Sequence, residues 1–101
     1  MTVERAVIQV LTECKVPPHF RGFRYLHTAI VMCYEDVSLL DMRTKKLYPD
    51  IAKRYKTTWT AVERAMRTAR EASLSKHQTT AEFIGAAVWF LRTLPDIDQT
   101  G

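Results

Sequence analysis

The segment Leu47–Arg67 reads LYPDIAKRYKTTWTAVERAMR and predicts two short helices joined by a tight turn. Pro49 suits the first turn of the first helix, where the N–H that it lacks would have no partner. Ala52 is small enough to let the second helix cross close by. The second helix shows one apolar stripe with steps of three, four and three, made of Trp59, Val62, Met66 and Ala69. The pattern predicts a helix-turn-helix over residues 47–75.

The turn between these helices is expected at Lys56 and Thr57. Turns of this kind often place glycine at a position of positive φ, so Lys56 departs from the usual pattern. Thr58 or Thr60 can cap the second helix. Thr60 stands three residues before Glu63, which is the spacing of a capping box.

Helical patterns also extend on both sides of this segment. Thr2 is a suitable N-cap for a helix that reaches Cys14, and the prolines at 17 and 18 end it. A loop through His19 and Gly22 leads to a second helix from 23 to 35, followed by one short turn at 37–42. A last helix starts at 79 or 80 and runs to about 94. No strand pattern is present, so we expect one all-α domain over residues 1–101, a compact bundle of about five helices that contains the helix-turn-helix.

Basic residues are concentrated in one segment of the chain. Arg43–Arg70 contains nine Lys or Arg and only two acidic residues, Asp50 and Glu63, which makes that segment +7. Because the whole chain is +4, the remainder is −3. A basic segment on a slightly acidic body is typical of a protein with a polyanionic partner, although a solvated helix face would show the same pattern.

The polar side of the second helix carries side chains that can read bases. Arg64 and Arg67 are three residues apart and project from neighbouring positions. A guanidinium can bind O6 and N7 of guanine, and Glu63 can accept a hydrogen bond from the amino group of cytosine. We therefore predict base contacts by Glu63, Arg64 and Arg67. The alternative is that Glu63 and Arg67 only pair with each other at i, i+4.

Other side chains of the segment suit phosphates, which determine affinity and position rather than sequence preference. The predicted phosphate contacts are Lys45, Lys46, Lys53, Lys56, Thr58 and Thr60.

Several stretches resemble a known family. They are Val16-Pro17-x-His19-x-x-Gly22-x-x-Tyr25-Leu26, Leu47-Tyr48-Pro49-Asp50-Ile51-Ala52-Lys53, Thr57-Thr58, Val62-Glu63-Arg64-Ala65, Arg67 and Glu82-Phe83-Ile84. Together they resemble the C-terminal DNA-binding effector domain of the sporulation response regulator, stage 0 sporulation protein A. The resemblance covers nearly the whole chain.

The resemblance implies an all-helical fold that binds short, often tandem, promoter boxes, with the Glu and two Arg of the recognition helix near bases. Those three positions are Glu63, Arg64 and Arg67 here. Ala61 and Thr68 stand where the family often has a basic residue and a His, so the preferred box is expected to differ. We expect no receiver domain before the effector, so control by phosphorylation is not carried over from the family. Residues 73–80 are too short for the helix and loop that the family has there, which leaves contacts with RNA polymerase and with a second copy on tandem sites open.

The remaining residues do not indicate an enzyme or a cofactor. His19, His27 and His77 are scattered, and metal spacings such as C-x-x-C are absent. Cys14 and Cys33 are expected to be reduced core thiols. We find neither a secretory leader nor an apolar run of the roughly 20 residues that a membrane span needs, and we expect a cytoplasmic protein.

The alternative function is a helical protein-interaction module. The last helix contains Trp89 and Phe90, and its apolar residues cover more than one face. A partner bound through such a surface would be insensitive to salt, whereas binding to DNA would depend on it steeply.

Overall fold

The computed structural model describes residues 1–97, and these residues form five α-helices without a β-strand. The helices are α1 (Val3–Glu13), α2 (Arg21–Glu35), α3 (Tyr48–Arg54), α4 (Trp59–Glu71) and α5 (Thr80–Arg92). A 3-10 turn at Val37–Asp41 and a π turn at Arg43–Leu47 connect α2 to α3. The expected all-α bundle of about five helices is confirmed.

Local capping determines where α1 and α5 begin. The hydroxyl of Thr2 accepts a hydrogen bond from the backbone N–H of Arg5 at 3.3 Å. At α5, the Thr79 hydroxyl accepts from the N–H of Glu82 at 3.0 Å, and the Glu82 carboxylate accepts from the N–H of Thr79 at 2.8 Å. This reciprocal pair is a capping box, which satisfies two N–H groups that a helix start otherwise leaves without partners.

The central helix is α2, which packs against each of the other four helices. Its Leu26 and Ile30 are completely buried, together with Met66 of α4 and Ile84 of α5. Burial of each such side chain contributes about 1.5–3 kcal/mol. The start of α2 differs from the expectation: Gly22, which the sequence placed in a loop, is the second residue of the helix and is buried.

Both cysteines are free. Cys33 is completely buried in α2, and burial is the largest cause that raises the pKa of its thiol to about 11, with the nearby Asp36 carboxylate adding to it. Cys14 follows the last residue of α1 and is only partly buried. Within residues 1–97, none of the helices has the length and apolarity needed to cross a membrane.

Candidate nucleic-acid interface

Helices α3 and α4 pack against each other and are joined by a turn of four residues, which is consistent with the predicted helix-turn-helix. Ile51 and Ala52 of α3 are buried. Val62 and Met66 of α4 are completely buried on the side that faces the core. The apolar side of α4 is thus occupied by the bundle, and its opposite side is left to solvent.

The turn is formed by Lys56 in a left-handed conformation, with φ of 56°. The N–H of Thr57 donates to the carbonyl of Ala52 at 2.9 Å, and the N–H of Lys56 donates to the carbonyl of Lys53 at 3.4 Å. These bonds are the two of a Schellman motif, which ends a helix most often at glycine. The chain therefore makes the expected turn with a lysine in the glycine position.

The N-cap of α4 is Thr58, whose hydroxyl accepts from the N–H of Ala61 at 3.2 Å. The predicted capping box of Thr60 with Glu63 is wrong, because the backbone at Thr58 is already the extended residue that precedes the helix. Thr60 is then the second residue of α4, with its hydroxyl 3.2 Å from that of Thr58.

The first residue of α4 also differs from the expectation. The sequence pattern places Trp59 in the apolar stripe, but the residue is 43% exposed. It stands directly after the turn, between the exposed residues Thr58 and Thr60, where the bundle does not cover it. The buried stripe consists of Val62, Met66 and Ala69 alone.

The residues predicted to read bases lie on or beside the solvent side of α4. Arg64 and Arg67 are exposed, and Glu63 is half-buried. Nη1 of Arg67 donates to Oε1 of Glu63 at 3.1 Å. Arg64 makes no ion pair within residues 1–97. The structure thus contains the i, i+4 pair of the alternative interpretation, while Arg64 remains unpaired in the middle of the exposed side.

Arg70 belongs to the basic segment of the sequence, but it is buried and does not add to the exposed basic surface. The residue is only 6% exposed. Its Nε donates to the hydroxyl of Thr80 at 3.3 Å, and its Nη1 donates to the carbonyl of Lys76 at 3.1 Å. The guanidinium therefore stabilises the segment that connects α4 to α5, and it is not available to an external anion.

The residues predicted to contact phosphate are all exposed, and they come from four neighbouring parts of the chain. Lys45 and Lys46 belong to the π turn, Lys53 to α3, Lys56 to the α3–α4 turn, and Thr58 and Thr60 to the start of α4. Thr44 and Tyr48 line a shallow groove together with Glu63 and Arg67. The π turn with its two lysines thus lies on the Glu63 side of α4.

Tyr48 is buried, and burial is the main reason why the pKa of its phenol is raised.

The flank of α4 that lies away from Glu63 faces the start of α2. A second shallow groove is lined by Phe20, Arg21 and Gly22 and, on α4, by Ala61, Arg64, Ala65 and Thr68. A Cβ at Gly22 would overlap the carbonyl oxygen of Ala65 and lie 2.7 Å from the Cβ of Ala69. The alanines at 61, 65 and 69 recur every four residues, and this small-residue row on α4 is the signal in the sequence that could have revealed the close contact.

Within residues 1–97, no group of three or more His, Cys, Asp or Glu side chains is arranged to hold a metal ion. The chain was compared with known protein families. The family described as "Sporulation initiation factor Spo0A C terminal" matches residues 7–88. The match includes α2, α3, the turn and α4 completely, together with most of α1 and α5.

Proposed function

The chain belongs to the family of the sporulation initiation factor Spo0A C-terminal domain, and from this premise we propose that it binds double-stranded DNA sequence-specifically and regulates transcription. The family is one of DNA-binding effector domains and not of enzymes, which supports a general DNA-binding role. The observation that supports sequence-specific binding is the division of α4 into two sides. One side is apolar and buried, and the other is exposed and has Arg64 at its centre.

In this proposal α4 enters the major groove with its exposed side against the bases. The forked guanidinium groups of Arg64 and Arg67 bind guanine, and the Glu63 carboxylate accepts from the amino group of cytosine. The ion pair between Glu63 and Arg67 opens or tilts when α4 enters the groove. Its loss costs only a few tenths of a kcal/mol because both partners are solvent-accessible.

The phosphate contacts position α4. Cations on the π turn, on α3 and in the α3–α4 turn neutralise the backbone beside the groove, and the hydroxyls of Thr58 and Thr60 donate to phosphate oxygens. We place this activity in the cytoplasm, where bacterial DNA lies. Contact with RNA polymerase and pairing of two copies on tandem boxes remain predictions from the family resemblance.

A second candidate function uses α5. Trp89 is 61% exposed and Phe90 is 50% exposed, so two large aromatic residues of α5 face solvent next to each other in sequence. These residues favour a protein-interaction module. Binding of such a partner would persist at high salt, since little charge is involved.

The test of base reading compares the two arginines of α4 with two lysines. Arg64→Ala and Arg67→Ala should each cost about 1–3 kcal/mol on the preferred box and relax the preference at one base pair. Lys45→Ala and Lys53→Ala should weaken binding to all sequences equally. The measurement is competition binding against single-base variants of a box that is first selected from random duplex DNA.

All four side chains are exposed, so each variant should unfold at the temperature of the unchanged protein. If Arg67→Ala lowers the affinity for every duplex by the same factor, Arg67 contacts phosphate and base reading lies elsewhere. A flat response of affinity to salt in the unchanged protein would contradict DNA binding itself.

A further inference from the structure

We propose that an open cleft beside the start of α4 is a second phosphate-binding surface, in which Arg21 and Arg24 hold the DNA backbone. This α2 cleft is formed by α1, the start of α2 and the α3–α4 turn, and its volume is about 870 Å³. The inference rests on the proposed function and extends it to a part of the chain outside the helix-turn-helix.

The lining of the α2 cleft is cationic and aromatic. It contains Arg21, Arg24 and Lys56, with His19 and His27 beside them, and no Asp or Glu side chain. The ring nitrogen Nε2 of His27 already bonds to the carbonyl of Glu4 at 3.0 Å. The arginines and the lysine are the side chains that carry a full positive charge at neutral pH. A concave surface with several cations and no carboxylate favours an extended anion.

The cations of the α2 cleft are not used inside the protein. The ion pairs among residues 1–97 are Arg67 with Glu63 and Arg70 with Glu71, neither of which involves the cleft. Arg21, Arg24 and Lys56 are all exposed. Three neighbouring cations without a counter-charge repel each other, and a bound phosphate backbone would relieve that repulsion.

The position of the α2 cleft relates it to the recognition helix. Phe20 and Arg21 line both this cleft and the groove that contains Arg64 and Thr68 of α4. Lys56 and Thr57, also in the cleft, directly precede the N-cap of α4. The contact of Gly22 with Ala65 holds α2 against α4 there. A duplex that receives the exposed side of α4 therefore brings a backbone to Arg21, with Arg24 one turn further along α2.

A basic element then lies near each flank of α4. On the Glu63 flank it is the π turn, whose Thr44 lines the groove and which carries the exposed Lys45 and Lys46. On the Arg64 and Thr68 flank it is the α2 cleft. The major groove is bounded by a phosphate backbone on each side, about 12 Å apart. One cationic surface on each side of the recognition helix matches that geometry.

The experiment measures the affinity of the full chain for two unrelated duplexes over a range of salt concentrations. Arg21→Ala and Arg24→Ala should each lower the affinity for both duplexes about five- to tenfold near 0.1 M salt. Each should also make the slope of log affinity against log salt shallower by about one. The effect of Arg21→Ala should be the larger, and Arg21→Lys should retain most of the binding because it keeps the charge.

Arg92→Gln is the control for net charge. Arg92 donates to the carbonyl of Tyr34 near the far end of α2, roughly 20 Å along the helix from Arg21. Its substitution should leave the salt slope unchanged. Circular dichroism and thermal unfolding verify that every variant is folded.

The outcomes are distinguishable. Should the unchanged protein fail to bind either duplex, the proposed function fails. If it binds but Arg21→Ala and Arg24→Ala keep the original affinity and slope, the α2 cleft does not contact DNA. Equal losses in Arg21→Ala and Arg92→Gln would also overturn the inference, because net charge alone would explain them.

Discussion

At Gly22 the backbone of α2 comes so close to α4 that no side chain fits between the two helices. We predict that Gly22→Ala is destabilising by about 1–3 kcal/mol or more, since the new methyl group overlaps the Ala65 carbonyl and only a shift of both helices can relieve it. Thermal unfolding measures the loss, and because the α2–α4 contact also positions the α2 cleft, DNA affinity should fall as well.

Gly85→Ala is the matched control for this substitution. Gly85 lies in α5, and a Cβ there meets nothing within 4 Å. The same change should therefore stabilise the protein by about 0.5–1 kcal/mol through helix propensity. If both variants unfold at the same temperature, the close packing of α2 on α4 is not present in solution.

The two thiols differ in environment, and their reactivity should differ accordingly. With a pKa of about 11, Cys33 is thiolate in only about one molecule in a thousand at pH 8, and it is also buried. Cys14 is partly exposed. A thiol reagent at pH 8 should therefore label one cysteine per chain quickly and the second only after unfolding. Cys14→Ser should remove the fast phase, and a fast phase that survives would place Cys33 at the surface.

At the scale of the elements, α1 and α3 end in the same way. Lys15 and Lys56 both adopt positive φ, and in each case the following N–H bonds back to the helix, from Val16 to Leu11 at 3.0 Å and from Thr57 to Ala52 at 2.9 Å. A left-handed lysine is strained because its Cβ crowds the backbone, which glycine avoids. The effect of replacing lysine by glycine can therefore be compared at the ends of α1 and α3.

We predict that Lys15→Gly and Lys56→Gly each stabilise the protein by about 0.5–1 kcal/mol. Only Lys56→Gly should weaken DNA binding and make its salt slope shallower by about one, because Lys56 precedes the start of α4. Cys14, next to Lys15, instead accepts a bond from Leu74, beyond the end of α4. Denaturant unfolding and salt titration measure the two effects. An equal loss of binding in both variants would contradict a local role for Lys56.

The parts of the fold that the sequence predicted are those that depend on neighbouring residues. Thr2, the two prolines at 17 and 18 and the threonines at 79 and 80 act within a few positions, so the sequence locates α1 and α5 within about two residues. The capping box of Thr79 with Glu82 was not predicted. Such local signals were not sufficient for α4, where Thr58 and Thr60 are both suitable N-caps. The N-cap is Thr58, because its backbone is extended and the helix starts at the next residue. The π turn was missed, since its bonds to the carbonyl of Met42 leave no periodic pattern.

Only the part of the candidate site that depends on neighbouring residues could be predicted from the sequence. The exposure of Arg64 and Arg67 follows from their spacing relative to Val62 and Met66 on one helix. A count of charge along one segment, however, included Arg70, which is buried, and left out Arg21, which the packing of α2 brings beside α4. Which cations share a surface depends on contacts between residues that are distant in the chain, and a sequence pattern does not contain that information.

At the scale of the whole molecule, stability and binding depend on different residues. The core is apolar and surrounds α2, whereas the proposed DNA surface consists of exposed cations that have few carboxylate partners within residues 1–97. Salt screens the repulsion among those cations in the free protein and also displaces the protein from DNA. Salt should therefore lower the affinity for DNA without lowering the unfolding temperature.

We predict that an increase from 50 to 200 mM salt lowers the affinity for duplex DNA by about 10³-fold or more, if six or more phosphates are contacted. The unfolding temperature should stay constant or rise over the same range, because screening removes repulsion and the core is uncharged. Parallel binding and unfolding titrations measure both responses on one sample. Loss of binding together with a falling unfolding temperature would mean that salt unfolds the domain. Binding that persists unchanged at 200 mM would instead favour an apolar partner at the exposed Trp89 and Phe90 of α5.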